Sequence, residues 1–514
     1  MIKIKANDFM RDTILFGLTI LLLLTANLMT VLGGSLWESA VNLMLIAIIV
    51  LNVSIFWSLI RNIRRDFALF IFMVAFDILI LGRVYVSWIG YYHKYLQLLE
   101  ADSLPQLFEA LQAVAVSLLC VYLAYRLAGP IFFRRETALR EKGIGLIRSN
   151  PLIPLIRQFS VIVLLVSSVP FLYALLRTAL NVIRNGYLNS FTNTVEIPSV
   201  ISRLSMFFVP AFAVILATLP SKKQMKLPLT VYGIYMITSI FTGRRTTLVT
   251  EALMLIIYFV MRDNLLERDK RVLKKRTVAF AGIFSVAAMY LLQLFALVRA
   301  GISDTNRGLG EMLVSFFDSQ GASFRVVIQT INHIDLFNPS TSYQYLFYPF
   351  ERFVHNNVIT STLFGLSPII EVQNSVFVQT THNYAHVITY MVDPARYLSG
   401  GGFGTSYIAE AYVAYRMLGV IAVSLMIGLI FRFFSSMLTR SWVVSASCLL
   451  ALKDFVYIPR SFAFMWVSDV FNITYFCFYG ALFLAALFIA KIGTHLRLPS
   501  ANSGRPPFAL EARP

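Results

Sequence analysis

The stretch Thr13–Leu32, TILFGLTILLLLTANLMTVL, runs for twenty residues without a charge. A helix of that length rises about 30 Å, the thickness of bilayer hydrocarbon, so the stretch reads as a membrane span. The preceding MIKIKANDFMRD gives it the look of a signal peptide, but the apolar part is too long and no small-residue cleavage site follows. It is therefore taken as the first span of many.

Outward from that stretch the pattern recurs. Apolar runs between charged or turn-rich breaks predict twelve spans, at 13–32, 38–60, 67–89, 107–128, 158–180, 204–220, 227–241, 247–261, 278–298, 410–431, 441–457 and 463–490. The chain is 58% hydrophobic and only 14% charged, a composition that would aggregate as a soluble core. Backbone groups in lipid must be satisfied within their own segment, and no ten-residue alternation of a membrane barrel is present, so the expected fold class is an all-α polytopic membrane protein. The division is 1–298 for nine membrane helices, 299–409 for one large outward loop, 410–491 for three more helices and 492–514 for a disordered tail. Cys120, Cys448 and Cys477 all fall in apolar runs, where they act as small hydrophobes rather than a disulfide or zinc framework.

Charge sets the expected orientation. Most of the 44 lysines and arginines lie in one alternating set of loops, which includes both termini, RNIRR, 126–157, SKKQMK and 262–276. The positive-inside rule places that set in the cytoplasm and 301–406 outside. The net charge of +18 is thereby read as cytoplasmic loop charge and not as a nucleic-acid surface.

Chemistry is expected on the outward side. Arg244 and Arg245 in FTGRRTT stand at the outer end of a tight hairpin, against the inside trend, and two guanidiniums there suit a phosphate or pyrophosphate. The alternative is that they reach for lipid headgroups. Arg299 closes the ninth span, and Arg460, beside Pro459, sits in the turn between the last two. His382, Asn383 and His386 in THNYAH offer donors and acceptors to sugar or phosphate, and His382 suits proton transfer. After the glycines of GGFG, Tyr407, Glu410 and Arg416 are expected to line the outer turns of the tenth span, with a helix cap as the other reading of Glu410. The segments FDSQGASFRVVIQTINHIDLF and YQYLFYPFERFVHNN show helical apolar spacing and read as amphipathic helices on the outer surface. Their tyrosines suit either sugar stacking or an interfacial aromatic belt. No Walker motif, GxGxxG, HExxH or outward acidic metal cluster occurs, which disfavours ATP-driven transport, redox chemistry and zinc proteolysis.

FTGRRTTLV at an outer hairpin, one large late loop, THNYAH, GGFGTSYIAEAYVAYRMLG and Arg460 together resemble the Wzy-type polymerases, which assemble O-antigen and other bacterial surface polysaccharides from undecaprenyl-linked repeat units. The resemblance implies a GT-C-like, metal-independent and cofactor-free glycosyltransferase of the bacterial inner membrane. Its partners would be undecaprenyl-pyrophosphate oligosaccharides, membrane lipids and a chain-length regulator. Arg244, Arg245, Arg299 and Arg460 would hold pyrophosphate, His382 or Glu410 would act on the acceptor hydroxyl, and Asn383, Tyr407 and Arg416 would bind substrate. O-antigen ligases share this plan, and a lipid-linked sugar flippase or secondary transporter would also be polytopic. A flippase should carry charge deep into several spans, whereas most of Asp77, Arg83, Lys453, Asp454 and Asp469 lie near outer ends.

Overall fold

The computed structural model describes residues 6–33, 36–90, 102–132, 147, 149–188, 191, 195–243, 245–266, 287, 289–294 and 308–496. Among them the chain is helical, with no strand. Among the described residues nine helices are long and apolar enough to cross a membrane. They are α1 (Ala6–Leu32), α2 (Trp37–Arg61), α3 (Ile63–Trp88), α4 (Leu104–Phe132), α5 (Ile153–Asn185), α6 (Ser199–Ala217), α16 (Tyr407–Phe434), α17 (Trp442–Arg460) and α18 (Trp466–Ile492). Each overlaps an expected span.

The expected seventh and eighth spans form helices α7 (Lys222–Ile240) and α8 (Arg245–Asp263). Neither is apolar enough to be counted with the nine, because Lys222, Lys223 and Lys226 open the first and Glu251, Arg262 and Asp263 interrupt the second. Two thirds of the expected ninth span, 278–298, lies outside the described residues, as does the whole tail beyond 496.

Between the spans, residues 308–406 fold into seven short helices: α9 (Leu309–Gln320), α10 (Ser323–Asn332), α11 (Tyr343–Asn356), α12 (Val358–Phe364), α13 (Ser375–Thr380), α14 (Tyr384–Val392) and α15 (Pro394–Leu398). The segment is docked on the bundle at the end where α3 finishes and α4 begins. Arg83 of α3 holds the C-terminal end of α9 through Asp318, Nε to Oδ1 2.9 Å. Backbones touch there, since a Cβ on Gly321 would come within 2.1 Å of the Arg83 nitrogen.

Helix α10 does not lie on the surface as its periodicity predicts. It packs against α4, α16 and the π-helical turn Asp77–Leu81 of α3. Phe324, Val326, Val327 and Ile328 are fully enclosed, and Thr330 bonds the Tyr384 hydroxyl at 2.6 Å. One face of apolar residues fits a bilayer surface and a protein interior equally well, so the pattern alone does not separate the two.

Helix α16 also departs from expectation. Its apolar pattern is continuous, yet the backbone breaks at Tyr415 (φ −142°, ψ 26°) and Arg416 (φ 52°, ψ −144°). The chain doubles back there. Ser117 Oγ of α4 lies 2.5 Å from the Tyr407 hydroxyl and 2.8 Å from Ser424 Oγ, although a continuous helix would separate positions 407 and 424 by about 25 Å. Gly419 lets the two arms close, since a Cβ on it would meet the Ala411 carbonyl oxygen at 2.1 Å. A short arm, 407–414, therefore rises beside α4 toward Glu109, which accepts from the Tyr412 hydroxyl, and a long arm, 417–434, descends.

That fold-back corrects the expected lining of the tenth span. Arg416 sits at the tip, half exposed, with NH2 3.8 Å from Asp335. Tyr407 and Glu410 lie lower on the short arm, fully enclosed, and do not line outer turns. Neither Gly nor Pro stands at 415 or 416, so nothing in the sequence marks the break.

Candidate active site

Pro459 ends α17 in a tight turn and sets Arg460 at the docking end of the bundle. Its guanidinium donates to the Gln320 carbonyl at the end of α9, NH1 to O 3.2 Å. No carboxylate among the described residues pairs with it, and it stands beside a helix end that Arg83 also grips.

The following residues bind this turn to α11. Phe462 lies 5.8 Å from the Tyr348 ring, Phe464 stacks on Phe347 at 5.6 Å, and Arg352 reaches the Met465 sulfur at 3.9 Å. Beneath them Ala463 N donates to Glu410 Oε2 at 2.9 Å, while Thr405 Oγ1 donates to Oε1 at 2.6 Å. Both oxygens of Glu410 are thus taken by structural donors. The residue joins the Arg460 turn to the foot of the short arm of α16.

Helix α11 turns two carboxylate networks toward the loop that follows it. Glu371 Oε1 accepts from the Tyr348 hydroxyl at 2.7 Å and from Asn383 Nδ2 at 3.1 Å, with Arg352 Nε 3.4 Å away. Burial, and then the Glu371 charge, push the Tyr348 phenol well above its ordinary value, so it remains a donor. Glu351 Oε2 lies 2.8 Å from His382 Nδ1, and both side chains are one-third exposed. A Nδ1–H donated to a carboxylate leaves Nε2 with the lone pair, and no described residue occupies it. His386 differs. Its Nδ1 meets the Tyr397 hydroxyl at 2.8 Å, and burial lowers the imidazole from its ordinary value despite the opposing pull of Glu371.

His382 and Asn383 therefore reach α11 through Glu351 and Glu371, and the turn 462–465 that follows Arg460 and bonds Glu410 packs on the same helix. Asn383 is turned inward to Glu371 and nearly enclosed. Tyr407 is bonded to Ser117 inside the bundle, and Arg416 stands at the tip of the fold-back beside Asp335. Arg245 opens α8 and donates to the Leu292 carbonyl. Arg244 and Arg299 lie outside the described residues.

Sequence reasoning missed Glu351, Arg352 and Glu371, although the first two stand in a helix already read as amphipathic. Arg325 was missed as well, with its guanidinium 4.0 Å from the Phe403 ring centroid and Arg396 5.0 Å from the same ring. No three His, Cys, Asp or Glu side chains gather as a metal site among the described residues.

The family model for the O-antigen polysaccharide polymerase Wzy matches residues 13–492, nearly the whole chain. The chain belongs to the Wzy O-antigen polymerase family. No curated relative and no solved structure matches it. Membership of the Wzy family makes this a multi-pass membrane protein of polysaccharide biosynthesis, with a polymerase role on lipid-linked oligosaccharide repeat units.

Proposed function

We propose that the chain transfers a growing glycan from undecaprenyl pyrophosphate onto a hydroxyl of the next lipid-linked repeat unit. The reaction is placed at the periplasmic face of the bacterial inner membrane, proceeds without a metal, and leaves both chain termini in the cytoplasm. The acceptor oxygen forms a bond to the anomeric carbon of the glycan, the bond from that carbon to the pyrophosphate oxygen breaks, and undecaprenyl pyrophosphate departs with the electron pair. The acceptor proton passes to His382 Nε2, with Glu351 holding the ring by its other nitrogen. Negative charge develops on the leaving group, and Arg460, with Arg244, Arg245 and Arg299, stabilises it. Asn383 positions the sugar-facing loop through Glu371, and Arg416 contacts substrate at the tip of the fold-back. Glu410 acts through position rather than proton transfer, because both its oxygens are engaged.

The observation that carries this reading is the juxtaposition on α11: the Arg460 turn packs on one part of the helix and the Glu351–His382 pair projects from another. Deleting the gene in its host and analysing surface and lipid-linked glycans tests it. Single repeat units in place of long chains are expected, with rescue by the wild-type gene and not by Arg460→Ala at equal membrane abundance. Full-length polymer stranded on its lipid would mean a ligase, and repeat units trapped in the cytoplasm would mean a flippase.

A further inference from the structure

The segment that follows α11 has a composition unlike the site beside it. From Asn356 to Ile370, NNVITSTLFGLSPII, there is no Asp, Glu, Lys, Arg or His. It carries four large apolar side chains that are mostly exposed: Ile359 (54%), Leu363 (73%), Phe364 (64%) and Ile370 (68%). In water, exposed apolar residues clustered on one short element are unfavourable and mark an interaction surface.

The segment is also closed on itself. Asn357 caps α12 at its start by accepting from Ile359 N, and Gly365, in the left-handed region, ends it. Leu366 N then bonds the Ser361 carbonyl at 2.8 Å. At the stem, Ile369 N donates to Asn356 Oδ1 at 2.7 Å, Asn356 Nδ2 donates to the Ile369 carbonyl at 3.2 Å, and His355 Nδ1 lies 2.9 Å from the Ser367 carbonyl. Thr360 turns its hydroxyl back to the Val354 carbonyl. The polar groups of the stem bond within the hairpin while Ile359, Leu363, Phe364 and Ile370 are exposed. A self-bonded stem that carries an uncharged, apolar tip suits lipid better than water.

We propose that 357–370 is a wedge inserted into the lipid leaflet on the side of the candidate site. Its stem continues the boundary of the membrane-spanning region. Phe347, Tyr348 and Phe350 of α11 pack on Phe462 and Phe464, between the end of α17 at Arg460 and the start of α18 at Trp466. Charged groups stand only at the base, where Glu351, Arg352, His355 and Glu371 match the level of headgroups, and the uncharged tip matches the acyl boundary about 5–10 Å deeper. A second protein is the weaker fit, since one two-turn helix and its returning segment fall short of the roughly 20–30 residues a side of a stable interface. With the wedge in lipid, the Arg460 and His382 groups are held at the height where a lipid pyrophosphate presents its charge. The wedge itself rests on the membrane character of the family and not on the assigned catalytic roles.

The test places the photoreactive residue p-benzoylphenylalanine at Phe364, an exposed aromatic position, and separately at Ser340 in the exposed polar turn NPSTS, in the full chain expressed in native membranes. Irradiation followed by mass analysis is expected to give phospholipid adducts at 364 on the order of tenfold above those at 340. Equal, low lipid capture at both positions would overturn the proposal. So would an adduct at 364 to a second copy of the chain or to another protein.

Discussion

Helices α10 and α11 read alike in the sequence and do opposite work in the molecule. Both carry apolar residues at helical spacing within the same inter-span segment, and both are expected on its surface. In α10 the polar residues are drawn inward with the apolar ones, so that Thr330 bonds Tyr384 in a fully enclosed position. In α11 Leu346, Tyr348 and Pro349 are buried while Glu351 and Arg352 stay partly exposed beside His382 and Glu371. The first helix is a peg that fixes the segment in the bundle. The second is the platform on which ionisable groups meet.

The difference can be broken most directly at Val327 in the peg. Val327→Asp would bury an unpaired carboxylate against α4 and α16 at a cost of several kcal/mol, so no protein should accumulate in membranes, whereas Glu351→Ala should leave the amount unchanged on an immunoblot. Equal abundance of the two variants would dissolve the distinction. On the platform, His382→Ala should lower the polymerisation rate about 10²-fold or more. Glu351→Gln should fall between that variant and wild type, with Glu351→Asp recovering part of the loss. An unchanged rate in His382→Ala would remove the base. A smaller effect is expected at Gly419, where an added methyl meets the Ala411 carbonyl oxygen. Gly419→Ala should cost about 1–3 kcal/mol in thermal unfolding, against little change for Gly480→Ala, whose Cβ meets nothing within 4 Å. The smallest effect concerns His386. Its imidazole is lowered from the ordinary 6.5, so the folded protein binds that proton less well than the unfolded chain. The stabilisation is present above the ordinary value and is lost as pH falls through and below it. The melting temperature should therefore fall more steeply on acidification in wild type than in His386→Phe, and parallel slopes would contradict the assignment.

Much of the fold was legible because lipid enforces a simple rule, and nine of the twelve expected spans coincide with helices apolar enough to cross. The two arms of α16 were not legible. Their apolar residues continue across a break that is made by Tyr415 and Arg416 and by the tolerance of Gly419 for close backbone contact. Within the site, Arg460 stood out because a lone cation beside a proline turn has a cost that only a location at the membrane boundary relieves. Glu351 and His382 are 31 positions apart and joined only by the folding of α11 against the 382 loop, a relation no spacing rule contains. Glu410 was visible as an acid near a helix start, but its two structural donors, Thr405 and Ala463, become evident only when the last turn of the bundle is seen above it.

The most direct test of the central claim is reconstitution of the purified chain in liposomes with one undecaprenyl-pyrophosphate-linked repeat unit, followed by separation of the products by length. Wild type is expected to produce a ladder of lipid-linked oligomers with release of undecaprenyl pyrophosphate, and Arg460→Ala is expected to leave the repeat unit single. A ladder of equal yield from Arg460→Ala, or none from well-folded wild type, would contradict the account.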